Sequence, residues 1–171
     1  MRIELQGRAR LLGNDINTDY IISSSRKREN PDPYVLRRYL MAELNPEFAH
    51  TIRDGDLLVA GRNFGCGSAM EVAVTVVLAS GIKAVLARSF ARTYYRNAIN
   101  NGLIPAECET STIQEGDWLH LILGDEAVRI VNVSRGIELP GRPLSGIALE
   151  ILSHGGLVRY FQERHDFTSP I

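Results

Sequence analysis

Three glycines and a cysteine lead up to Ser68 in the run Gly61-Arg62-Asn63-Phe64-Gly65-Cys66-Gly67-Ser68. Glu71 follows three residues later, which gives Ser68 and Glu71 the spacing of a capping box, each side chain closing on the other's backbone N–H. The nearly unbroken apolar stretch behind it predicts a helix over residues 69–80, with Gly81 as its stop. A buried strand is expected just upstream, at residues 56–60. Strand, glycine-rich turn and helix, in that order, aim free N–H groups and the positive end of a helix dipole at one point. Such a point suits a carboxylate or a phosphate. Gly65, Cys66, Gly67 and Ser68 therefore read either as the wall of an anion site or as an ordinary tight turn with a good cap.

Two other segments carry side chains that could join such a site. Asp15, Asn17, Thr18 and Asp19 crowd a turn at residues 13–19, where they either serve a ligand or bond their own backbone. Arg26, Lys27 and Arg28 lie in residues 23–33, a polar stretch ending among prolines and expected to be a flexible surface loop. That charge run is either a solvated face or a loop that closes over a small acid, since arginine meets a carboxylate in bidentate geometry. No histidine stands near Ser68 in the sequence, so a Ser-His-Asp hydrolase has no local support. The G-x-x-x-x-G-K-S/T spacing of a nucleotide loop is absent, and G-x-G-x-x-G fits poorly. The residues alone give no complete catalytic set.

The elements around these segments belong to an α/β chain. A strand is expected at residues 2–12, a brief apolar run at Tyr20-Ile21-Ile22, and a helix at 34–44 with Pro33 at its start. After the glycine run come a strand at 82–87 and a helix at 90–101, capped by Ser89 and ended by Gly102. Alternating strand and helix imply βαβ crossovers and a partly parallel sheet. The second half is β-rich, with short strands at 118–123, 127–133 and 135–139, then helices at 144–153 and 156–164.

With 171 residues, no internal repeat and no linker, residues 1–171 are expected to form one domain with a real core. A net charge of −1 argues against nucleic-acid or membrane partners that work by bulk charge. No apolar stretch approaches the ~18 residues needed to cross a bilayer. Two cysteines, Cys66 and Cys108, make neither a disulfide framework nor a four-ligand metal set. His50, His120, His154 and His165 are too scattered for zinc spacing, so no metal is expected on this chain and a cytoplasmic setting is.

Three motifs together resemble a known family. Asn14-Asp15-Ile16-Asn17-Thr18-Asp19 followed by Ile21-Ile22 is similar to the N(D)-x-DTD-x-II segment of aconitase-type hydro-lyases. Gly61 to Ala73 resembles their G-x-NFGCGSSREHA motif. Ser89-Phe90-Ala91-Arg92 with Tyr95-Arg96-Asn97-Ala98-Ile99-Asn100-Asn101-Gly102-Leu103 resembles their SFAR-x-x-YRNAIN-x-GL stretch almost letter for letter. The motifs fall in the family's order, and the chain length is similar to that of separate small subunits of isopropylmalate isomerase and homoaconitase.

The resemblance implies a swivelling β/β/α domain that caps a large subunit. That partner is expected to hold a 4Fe–4S cluster whose open iron binds the substrate hydroxyl and carboxylate; two cysteines here could not hold one. By the same resemblance Ser68 falls on the serine that moves a proton at the carbon next to a carboxylate, and Asp19 falls on an active-site aspartate. The implied substrate is a small hydroxy di- or tricarboxylic acid, with 3-isopropylmalate and leucine biosynthesis as the default. The alternatives are a homoaconitase-like or other hydroxy-acid dehydratase, or a partner-binding subunit without catalysis. Ala69 and Met70 stand where the family motif has a serine and an arginine that hold a carboxylate, and Asn17 stands in place of an aspartate. Ser23 to Glu29 replaces the family's P-x-x-YL segment. Arg26 or Arg28 is expected to supply the anchoring that Met70 does not, beside Thr18, Asp19 and Gly67.

Overall fold

The computed structural model describes residues 1–164, so His165 lies outside the described residues. Four strands run parallel: β1 (Arg2–Leu11), β2 (Leu57–Ala60), β3 (Ala84–Ala87) and β4 (Ile104–Glu107). Three more, β5 (Trp118–Gly124), β6 (Val128–Asn132) and β7 (Ile137–Gly141), form an antiparallel meander. The two halves make one sheet in the order β4-β3-β2-β1-β5-β6-β7. The long strand β1 joins them, pairing Arg2–Arg8 antiparallel with β5 and Ala9–Leu11 parallel with β2.

Helices cover both faces. The β1–β2 crossover holds α1 (Thr18–Ile21), α2 (Ser24–Glu29), α3 (Pro33–Leu36), a 3₁₀ turn at Arg37–Tyr39, and α4 (Phe48–Thr51). Then follow α5 (Val72–Ala79), α6 (Arg92–Asn101), α7 (Gly146–Ser153) and α8 (Leu157–Arg164). Because side chains alternate along a strand, β2 sends Leu57 and Val59 into one core and Leu58 and Ala60 into the other. The first core meets α7 and α8 through Leu149, Ile151, Leu152 and Tyr160, the second meets α1, α3 and α5 through Ile21, Leu36, Val74 and Val77.

Several boundaries differ from expectation for local reasons. Residues 23–33 are not a loop throughout: Ser23 Oγ accepts the Arg26 N–H at 3.4 Å and starts α2. The helix expected at 34–44 stops early because Met41 turns left-handed (φ 56°), fully buried, and gives its N–H to the Ile21 carbonyl at 3.0 Å. The last strand begins at Ile137 because the Asn132 carbonyl and side chain hold the Arg135 N–H in a turn. The sequence reading contained no β4, whose Pro105 reads as a strand breaker. The strand is tolerated because it lies at the end of the sheet order, with a partner on one side only.

Candidate active site

Loops leaving the carboxyl ends of β1, β2 and β3 meet at one place, where open α/β sheets commonly bind ligands. Asn14 Oδ1 accepts the Arg62 N–H at 2.9 Å and the Arg88 Nη2 at 2.8 Å. The Gly65 N–H reaches the Ile16 carbonyl and the Thr18 N–H reaches the Cys66 carbonyl, each at 2.8 Å. On the other side Phe64 exchanges backbone bonds with Ser89 and Ala91. The Phe64 ring, fully buried, lies edge-on to Phe90 and Tyr94 at 5.9 and 5.1 Å. The glycine run is thereby clamped between the other two loops.

Within this clamp Gly65 and Gly67 are required as glycines. Both have positive φ, at 79° and 94°. A Cβ on Gly65 would lie 2.2 Å from the Tyr94 ring, and one on Gly67 would lie 2.5 Å from the Asn17 side chain. The turn they make exposes Ser68, whose carbonyl is held by Thr18 Oγ1 at 2.9 Å. Among the described residues the Ser68 hydroxyl has no hydrogen-bond partner. Thr18 is buried at 2% exposure, so its grip on Ser68 comes from inside the fold.

The expected capping box is absent. The helix starts at Val72, not Ala69, and Glu71 occupies its cap position without a side-chain bond. The reason lies in Met70, which is turned into the core and whose carbonyl accepts the Ala73 N–H at 3.1 Å. Ser68 is left outside the helical register. Ser89 also caps no helix: its Oγ accepts the Asn63 N–H at 2.8 Å, and α6 begins after Ala91.

Ser68 opens onto a small cavity of about 100 Å³, roughly the space of three waters. Thr18, Gly65, Gly67, Ala69 and Met70 line it, as grouped from the sequence, with Cys66 in the intervening backbone. Asp19 stands beside it, not in its wall, and holds Ser24 through the Ser24 N–H at 3.1 Å and hydroxyl at 2.5 Å. Ser24 Oγ in turn lies 3.6 Å from Met70 Sδ. Arg26 and Arg28, expected as carboxylate anchors, do not line the cavity. The Arg26 guanidinium instead stacks 4.3 Å above the Tyr39 ring and pairs with Glu29 at 3.3 Å, while Arg28 is exposed on α2.

Sequence reasoning had assigned no role to Arg92, Thr93 or Asn97, which complete the cavity from α6. The SFAR match was the available signal, but it named a motif without a function. A larger open hollow of about 560 Å³, lined by Tyr34, Arg37, His50 and Gly81, contains none of the residues grouped above.

Among the described residues no group of three or more His, Cys, Asp or Glu side chains could hold a metal ion. These residues therefore do not fit a cluster on this chain. Both cysteines are free thiols. Burial, and secondarily the nearby Glu109 charge, pushes the Cys108 thiol up to about 12, whereas Cys66 is partly exposed in the glycine run.

Comparison with known proteins accords with this geometry. Residues 36–111 match the model of the Aconitase C-terminal domain. The methanogen homoaconitase small subunit of Methanocaldococcus jannaschii is 44% identical over 162 residues, which is 94% of this chain and 92% of that protein. The 3-isopropylmalate dehydratase small subunit 1 of Archaeoglobus fulgidus is 45% identical over 155 residues, or 90% and 94% of the two chains. A crystal structure of 3-isopropylmalate dehydratase from Methanocaldococcus jannaschii superposes with a TM-score of 0.89 at 40% identity, covering 98% of each chain. The chain belongs to the aconitase family, among its separate small subunits of 3-isopropylmalate dehydratase and homoaconitase type.

Proposed function

We propose that this chain is the small subunit of a two-chain hydro-lyase that isomerises 3-isopropylmalate by removing and re-adding water, with Ser68 as the group that moves the proton. Its relatives' names and its near-complete coverage of them support the reaction class. The observation that carries the role of Ser68 is its hydroxyl, exposed and unengaged at the mouth of a cavity, with its backbone fixed from the core by Thr18.

In this reading the serine oxygen takes the proton from the carbon beside a carboxylate as the hydroxyl leaves the neighbouring carbon, and returns a proton when water adds the other way round. A serine oxygen serves as a base only where its anion is stabilised. The first turn of α6 lines the same cavity, and Ala91 offers no side-chain cap to occupy its N–H groups. Asp19 positions Ser24, and through it Met70, so that this wall of the cavity is apolar and fixed. The iron–sulfur cluster belongs, in this proposal, to a large subunit; the share of this chain is the proton. Residues 1–171 act as one swivelling domain, in a cytoplasmic setting that suits two free thiols.

A homoaconitase-like subunit acting on a hydroxy tricarboxylic acid is the second reading, favoured by the 44% identity to a homoaconitase small subunit. The test is anaerobic reconstitution with the cluster-loaded large subunit and a comparison of the two substrates by absorbance of the unsaturated intermediate. Turnover of 3-isopropylmalate that needs both chains is the expected result. Preference for the hydroxy tricarboxylic acid moves the assignment to the second reading. A stable complex inactive on both contradicts the hydro-lyase function.

A further inference from the structure

The Ser68 cavity has one charged side chain in its wall, and it is Arg92. The other wall residues are small, apolar or neutral, and no carboxylate is among them. Arg92 is the first residue of α6, where the helix dipole is positive and a cation is disfavoured. Among the described residues no acidic side chain pairs with it, whereas Arg8, Arg10, Arg62, Arg129 and Arg142 each have a carboxylate partner. Arg92 is exposed, so its unpaired guanidinium at the edge of a hydroxyl-bearing cavity is hydrated and open to a bound anion. The start of α6, which carries it, is held by the packing of Tyr94 on Phe64 and by the Tyr94 hydroxyl bond to the Ala73 carbonyl, so the side chain starts from a fixed base.

We propose that Arg92 is the carboxylate-binding and specificity-determining residue of this chain, taking the acid group next to the carbon on which Ser68 acts. This rests on the hydro-lyase reading above. The cavity of about 100 Å³ has room for a carboxylate and its neighbouring carbon. In this reading the reacting end of the substrate enters the cavity and the remainder stays outside it. Bidentate pairing of the Arg92 guanidinium orients the carboxylate plane and so the adjacent C–H toward Ser68. Lysine, a point charge, keeps the attraction and loses the orientation.

The test uses the two-chain complex and two readouts: KM and kcat for 3-isopropylmalate, and the dissociation constant of malonate by calorimetry. Arg92→Gln is expected to raise both KM and the malonate constant by roughly ten- to a hundredfold, the scale of a lost charge-assisted pair. Arg92→Lys is expected to recover malonate binding more fully than kcat. Malonate binding within about twofold of the native value in Arg92→Gln, with the complex still formed, overturns the proposal. If the unsubstituted pair fails to turn over 3-isopropylmalate but loses malonate through Arg92→Gln, the substrate assignment fails and the role of Arg92 stands.

Discussion

The proposed role of Ser68 needs a hydroxyl that is held still with its lone pairs free, and both conditions trace to named neighbours. Thr18 Oγ1 fixes the carbonyl, and Gly67, left-handed at φ 94°, turns the side chain outward. Gly67→Ala costs about 1–2 kcal/mol for the backbone conformation alone, and its Cβ, 2.5 Å from Asn17, forces the β1–α1 loop to move. The expected outcome is a lower thermal midpoint and a larger proportional loss of kcat, seen by comparing melting curves with turnover. The thiols divide in the same local way. Iodoacetamide on the native chain is expected to label Cys66 and spare Cys108, whose thiol burial holds near 12, until denaturant is added; mass mapping of the labelled peptides checks it. At this scale the glycines and Ser68 were legible because backbone constraints leave a mark in sequence. The place of Arg92 in the cavity wall was not, since it depends on contacts between distant segments.

Elements were legible where periodicity and burial agree. β1, β2 and β3 follow the apolar pattern, and α6 ends at Gly102, whose φ of 82° is the left-handed stop expected of glycine. The start of α5 was misread because Ser68 and Glu71 have capping-box spacing while tertiary packing draws Met70 inward and uses the Ser68 carbonyl elsewhere. The register between β1 and β2, which sets the site loops beside each other, is locked by a buried ion cluster. Asp56 accepts Arg8 Nη2 at 2.7 Å, Arg10 Nη1 at 3.4 Å and the Arg53 N–H at 2.9 Å. Burial alone would raise the Asp56 carboxyl, but these donors outweigh it and hold it below the usual carboxylate range. Its folded value is thus lower than its unfolded value of about 3.9. The stability it contributes is complete above that unfolded value and is lost as pH falls through the folded one. Asp56→Asn is expected to destabilise the fold by about 3 kcal/mol at neutral pH and to flatten the acid limb of the stability curve; urea midpoints from pH 3 to 7 test both.

In the proposed reading the whole molecule supplies half of a site. Its sheet brings three loops to one edge, its two cores make that edge rigid, and what stands there is a serine, a small cavity and a cation. The described residues offer no ligand set for a metal ion. The relatives it matches over nearly their full length include small subunits of 3-isopropylmalate dehydratase and homoaconitase type. The sequence motifs showed that family directly; they were silent on α4 and β4 and on which side chains face one another, since both depend on contacts between distant segments. The measurement that bears most directly on the account is anaerobic turnover of 3-isopropylmalate by the large subunit mixed with Ser68→Ala, with complex formation followed by sedimentation. The account predicts an intact complex and a kcat reduced about 10²- to 10⁴-fold, the range for loss of a positioned proton-transfer group. An intact complex that turns over at the unsubstituted rate would show that the proton is handled elsewhere.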